Sequence, residues 1–158
     1  MRHVDLQLAI FGRMALATAL GFAIGFEREL RGSAAGERTI AIVAAGAAAF
    51  ASLAVNLFPS TGGQVVAGVA IGVGFMGAGV IWRSGMGPAR GLTTAAATWT
   101  VAATGLLVGT ELYITAVLAT MLMLVVLELE HLPLIGRIVH QMSPMDGPDR
   151  SRDPGHDA

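Results

Sequence analysis

No cysteine occurs among the 158 residues, which excludes disulfides, thiolate chemistry and cysteine-based metal sites and leaves the redox compartment undetermined. Lysine is missing as well, since all ten basic residues are arginines. Without lysine no phosphate-binding loop can end in its usual Lys, and the arginines, scattered among acids in short segments, form no basic stripe for nucleic acid. Acidic residues vanish between Glu37 and Glu111. That gap disposes of Gly72-Val73-Gly74-Phe75-Met76-Gly77 as a dinucleotide fingerprint, because the acid about 20 positions later that would hold the ribose does not exist. The histidines (His3, His131, His140 and His156) lie toward the two ends and share no helical spacing with a carboxylate ligand set. No catalytic residue, cofactor site or metal site is therefore expected, and an enzyme is not.

What the chain has in excess is apolar length. Apolar residues make up 54% and charged residues only 13%, against roughly 25% charged in soluble domains. A domain this small has too much surface to hide so much apolar area from water. The apolar residues come in blocks of membrane-spanning length, which predicts an all-α integral membrane bundle of five transmembrane helices, over about 6–26, 39–57, 64–82, 93–108 and 112–129. Pro59 with Gly62-Gly63 breaks the chain between the second and third spans, and Thr93 is expected to cap the fourth. The membrane domain thus covers 1–132, and 133–158 reads as a short interfacial segment followed by a disordered tail rich in Pro, Gly, Asp and Arg. Ala17-Thr18-Ala19 resembles a signal-peptidase site, but Arg13 interrupts the apolar run before it and the run continues to Phe26, so the first block reads as a retained helix.

Arginine placement gives an orientation. The first-to-second connection carries Arg28, Arg31 and Arg38, the third-to-fourth carries Arg83 and Arg90, and the tail carries Arg137, Arg150 and Arg152, while the alternate turns carry none. By the positive-inside rule the N-terminus is expected outside and the C-terminus inside.

Charge at membrane depth marks candidate function, because an ionisable group in hydrocarbon is costly. Arg13 lies 14 residues before Glu27, about 21 Å along a helix, which expects it in the outer half of the bilayer, either snorkelling or paired. Asn56 and Glu111 are its candidate partners. On the inner side Glu27, Arg28, Glu29, Arg31, Arg38, Arg83 and Arg90 are expected at one level, as a polar vestibule or as ordinary interfacial anchors. Gly21 and Gly25, and Gly68 and Gly72, sit four apart and so share helix faces, and with Gly77 and Gly79 they are candidates for close helix packing.

At these residues the sequence resembles the N-terminal membrane domain of the MgtC/SapB family. The resemblance rests on Arg13 with Ala17, on Gly21-Phe22-Ala23-Ile24-Gly25-Phe26-Glu27-Arg28-Glu29, on Arg38-Thr39 and on Gly74-Phe75-Met76-Gly77-Ala78-Gly79-Val80-Ile81. It also rests on Arg90-Gly91-Leu92-Thr93-Thr94-Ala95-Ala96, with Trp99 and Ala102-Ala103-Thr104-Gly105 following. Glu37 departs from a more often apolar position, and longer members carry a soluble C-terminal domain where this chain has a short tail.

The resemblance implies a multi-pass protein of the bacterial inner membrane, linked to magnesium homeostasis and adaptation to low magnesium; a nucleotide-driven pump is not expected, because the sequence itself offers no nucleotide site. It singles out Glu27, Arg28, Arg38 and Arg90 within the inner cluster, together with Thr93, Thr94 and Trp99. Two functions follow as expectations: an accessory or regulator that packs against another inner-membrane protein or a second copy of itself, and a small transporter or channel. The expected partners are otherwise the bilayer alone, with no nucleic acid and no nucleotide.

Overall fold

A computed structural model describes residues 3–83 and 91–129. They form α1 (His3–Leu30), α2 (Glu37–Leu57), a single 3-10 turn (Pro59–Thr61), α3 (Gly62–Arg83), α4 (Leu92–Gly109) and α5 (Tyr113–Glu128), with no strand among the described residues. The first four helices are long and apolar enough to cross a membrane, whereas α5 has 16 described residues and is shorter than a typical span. The chain divides into a unit Met1–Val125, which holds the bundle, and a unit Val126–Ala158, of which only residues 126–129 are described. The expected interfacial segment and tail, 133–158, lie outside the described residues.

Two boundaries differ from the sequence expectation for identifiable reasons. The first helix does not stop at Phe26 where the charges begin; it runs to Leu30, because Glu27, Arg28 and Arg31 pair with one another along the helix instead of breaking it. It ends when Gly32 turns left-handed at φ +66°. The Gly32 N–H then bonds the Glu29 carbonyl at 3.0 Å and the Ser33 N–H the Arg28 carbonyl at 3.0 Å, the Schellman pattern that satisfies terminal carbonyls. At the start of α4 the expected threonine cap is not made. Gly91 occupies the cap position at φ 86° without a side-chain bond, which leaves Thr93 exposed and Thr94 free to turn inward.

α2 is the centre of the bundle. Its buried face is almost pure alanine (Ala41, Ala44, Ala47, Ala48 and Ala51), and alanine lets a second backbone come close on either side. α1 approaches with Gly21, where an added Cβ would meet the Ala44 Cβ at 2.7 Å and the Ile40 carbonyl at 3.1 Å, and with Gly25, where it would meet the Glu37 Cα at 2.5 Å. α4 approaches the same alanine-rich stretch further along α2, with Gly105 against Ala44 and Ala47 and Gly109 against Ala48 and Ala51. In lipid, where burying apolar area adds little between helices, this close backbone contact supplies the packing energy.

α3 sits differently. Its Val73 packs on Ala47 and Ala102, with Val43, Val69 and Leu106 around them, and its Gly77 lies near Ala95. Beside that contact a wholly apolar groove of about 510 Å³ runs between α2 and α3, lined among others by Ile42, Gly46, Phe50, Gly68, Gly72 and Met76. Among the described residues Gly68, Gly72 and Gly79 pack against no other helix as their spacing suggests: a Cβ at any of them would meet no described neighbour within 4 Å. Four-residue spacing puts glycines on one face, but nothing in it obliges a neighbour to lie there.

Candidate functional site

The charged side chains gather at two levels of α1, 14 residues apart. At the first, Arg13 is buried at 6% exposure, and it is the first buried residue of α1, since no described residue ahead of it is buried. Its guanidinium reaches across to the turn that follows α4, where Nη2 donates to the Glu111 carboxylate and Nη1 to the Gly109 carbonyl at 3.4 Å. The same carbonyl accepts the Ser52 hydroxyl of α2 at 3.2 Å. One backbone oxygen thus ties three helices together. The pairing matters because a buried arginine without a counter-charge would be far more costly than the paired one.

Of the two candidate partners for Arg13, Glu111 makes the bond. Asn56 lies at the same end but turns to its own helix, its amide donating to the Ser52 carbonyl at 2.7 Å. Ser52 and Gly109 escaped the sequence reading: a serine inside an alanine-rich run carries no distinguishing spacing, and a carbonyl's role is invisible in sequence. A charge inside one apolar block and a complementary charge in the turn between two others are the only signal the pair leaves.

At the second level, Glu27 and Arg28 are both buried, and Arg28 Nη2 donates to Glu27 Oε1 at 2.6 Å while its Nε donates to Oε2. Arg31, one turn on, adds a contact from Nε to Glu27 Oε1 at 3.4 Å. This bidentate geometry matches the planar guanidinium to the carboxylate and is among the stronger ion-pair arrangements. Close by in sequence, Ser33 and Thr94 share a hydroxyl–hydroxyl bond of 2.6 Å that fastens the α1–α2 connection to the start of α4. Sequence reading named Thr94 but not Ser33, which has no signature beyond its place in a polar loop.

Arg38 does not join this group. Its side chain is 92% exposed and its ion-pair neighbour is the adjacent Glu37, at 3.6 Å. A polar cleft of about 300 Å³ lies alongside it, lined by Glu29, Gly36, Glu37, Arg38 and Thr39. The inner cluster is therefore two things: a buried knot on α1 and an exposed patch at the start of α2. Arg90 lies outside the described residues, as does the Arg83 side chain. Trp99 is half exposed on α4, and Thr93 is exposed.

Between the two levels the buried polar groups are hydroxyls turned back on their own helix: Thr98 donates to the Thr94 carbonyl at 2.8 Å and Thr104 to the Thr100 carbonyl at 3.3 Å. No buried side-chain nitrogen or oxygen among the described residues lacks a hydrogen bond. Nor do the described residues bring three His, Cys, Asp or Glu side chains together in a way that could hold a metal ion.

Residues 14–132, which carry the buried Glu27–Arg28 pair, the Ser33–Thr94 bridge and the Gly109–Glu111 turn, match the model of the MgtC family. The chain belongs to the MgtC family. Arg13 stands one residue ahead of the matched region. Protein MgtC of Salmonella typhimurium strain LT2 is 44% identical over 108 residues, 68% of this chain and 46% of that protein. Protein MgtC of Brucella abortus strain 2308 is 42% identical over 114 residues, 72% of this chain and 48% of the relative. An uncharacterised protein of Haemophilus influenzae is 37% identical over 148 residues, 87% of this chain and 61% of its own length. The chain spans about half the length of the MgtC proteins it matches. No solved structure matches it. With MgtC relatives and several long apolar helices, it is a multi-pass membrane protein.

Proposed function

We propose that this MgtC-family protein is a non-enzymatic accessory or regulator in the bacterial inner membrane, linked to magnesium homeostasis and growth at low magnesium. In this reading α5 is a fifth crossing, and the Arg13 level faces outward while the Glu27 level and the Arg38 patch face the cytoplasm. That orientation is what the arginine bias of the connections favours. The partner is a second inner-membrane protein, engaged through helix packing and through charged residues at the cytoplasmic end.

The observation that carries the regulator reading is what lies between the two charged levels. The helices there are closed by glycine on alanine, and the buried threonine hydroxyls are spent on their own backbone. A cation path needs several oxygens free to replace water around the ion, and an anion path needs donors spaced along a wetted route. The groove between α2 and α3 is lined by apolar residues and suits neither.

Arg38 and Arg90 provide the test. Arg38→Ala removes a side chain that is 92% exposed and so should leave the bundle intact. In a host strain lacking its own MgtC, Arg38→Ala and Arg90→Ala are expected to abolish growth support at low magnesium while membrane abundance stays at the parental level. Normal growth of both variants would remove these arginines from the mechanism. Reconstituted protein that carries Mg²⁺ or an anion into liposomes above the empty-vesicle rate would instead establish a transporter.

A further inference from the structure

Two helices of this protein end in the same hydrogen-bond pattern, and only one uses the residue that suits it. α1 closes through Gly32. α4 closes with the Leu112 N–H on the Leu107 carbonyl at 2.9 Å and the Glu111 N–H on the Val108 carbonyl at 3.1 Å, which puts Glu111 where Gly32 stands in the other turn. That position requires a left-handed backbone, normally supplied by glycine because a Cβ is penalised there. Glu111, at φ 69°, is the only non-glycine residue with a positive φ among the described residues. Strain of this kind persists where something else depends on the side chain. Here the side chain supplies the counter-charge of Arg13.

The two partners are unequal in a way that matters. The Arg13 side chain is 7% exposed and that of Glu111 is 55% exposed, so the ion pair can be reached from outside the bundle on its acidic side only. The bonds the Arg13 guanidinium makes, to Glu111 and to the Gly109 carbonyl, both end in this turn. Along α1 no described residue before Arg13 is buried, whereas beyond it Ala17, Gly21, Ile24 and Gly25 are buried, and Gly21 and Gly25 come close to α2. The N-terminal half of α1 is therefore held at Arg13, and the C-terminal half is held independently.

We propose that Arg13 and Glu111 form a releasable latch that seats the N-terminal half of α1 on the bundle. Release on the Glu111 side lets that half swing away from α4 and uncovers the Gly109 carbonyl and Ser52, while Gly21 and Gly25 keep the other half clamped to α2. The latch rests on the geometry of this end of the bundle alone and stands apart from the regulator reading and its magnesium link.

The chain has no native cysteine, so Gly12→Cys on α1 and Gly63→Cys on α3, both open positions, can carry spin labels in the full-length protein in lipid nanodiscs. Pulsed dipolar spectroscopy is expected to give one narrow distance population in the parent and a second, broader one in Glu111→Gln and Glu111→Gly. The double variant Arg13→Leu/Glu111→Leu, which leaves neither an orphan charge nor a latch, is expected to show the second population as well, so the release follows from losing the bond and not from an unpaired charge. Glu111→Gly separates the latch from the turn: glycine relieves the backbone, so a turn-only role raises the melting temperature, whereas the latch lowers it. An unchanged distance distribution in Glu111→Gln, or a higher melting temperature in Glu111→Gly, overturns the proposal. Should the single variants fail to accumulate, the distance distribution of the double variant decides: a second population supports the latch, and a single parental one overturns it.

Discussion

Gly21 and Gly25 on α1 and Gly68 and Gly72 on α3 have the same spacing in similarly apolar helices, yet the first pair is jammed against α2 and the second faces open space. The difference lies in the neighbour. Against Gly21 and Gly25, α2 presents the Ile40–Ala44 stretch and its own first residue, while its Gly46 side faces the groove and leaves the α3 glycines without a surface to meet. A small-xxx-small pattern is thus permission for close approach, and a second backbone of complementary shape decides whether it happens.

Substitutions that add one methyl group sharpen this contrast. The largest effect is expected at Gly105→Ala and Gly109→Ala. At Gly109 the new Cβ would stand 2.5 Å from the Ala48 carbonyl oxygen, and at Gly105 it would meet the Ala44 carbonyl, backbone atoms that cannot rotate away. Each should cost at least about 1–3 kcal/mol, the usual range for overpacking, read as a lowered midpoint in denaturant unfolding in mixed micelles. Parental midpoints for both would break the description of α2 as a helix met closely by both α1 and α4.

Gly21→Ala should cost less, because its nearest obstacle is the Ala44 methyl at 2.7 Å rather than a carbonyl. Pairing it with Ala44→Gly is expected to recover part of the loss, and the absence of any recovery would place the strain elsewhere. Thr94→Val removes the bond to Ser33 and should lower stability by about 1 kcal/mol, with the Ser33→Ala/Thr94→Val double variant costing little more than either single change. The smallest effect belongs to Gly68→Ala and Gly72→Ala, where the new methyl would meet no neighbouring helix within 4 Å among the described residues. Each should leave stability unchanged or raise it by about 0.5–1 kcal/mol through reduced backbone freedom. A marked loss in lipid, but not in detergent, would mean that something covers the groove in the membrane.

The four long helices were legible because membrane-length apolar runs separated by polar connectors have few alternative readings, and the break at Pro59 falls where expected. The end of α1 was misplaced because the sequence marks charge and not pairing. Glu27 beside Arg28 and four residues before Arg31 can neutralise one another without leaving the helix. At the start of α4 the sequence favours a threonine cap, and Gly91 takes that place. Of the candidate polar residues, Arg13 was visible as a charge inside an apolar block, and Glu27 and Arg28 as charges at the edge of one. Their partners were harder: Glu111 could be guessed by level, Ser33 and the Gly109 carbonyl could not, and Arg38 faces away from the buried pair despite lying at the same level.

By itself the sequence determined the solvent, the helices and the two levels at which charge would collect, since these depend on composition and on distance along a helix. Only the tertiary structure decided which glycines are contacts, which acid neutralises Arg13 and which arginine stays outside. Each of those depends on what lies across from a residue, and in a bundle whose spans are all apolar and rich in small side chains, the patterns along one helix do not name the face of the next.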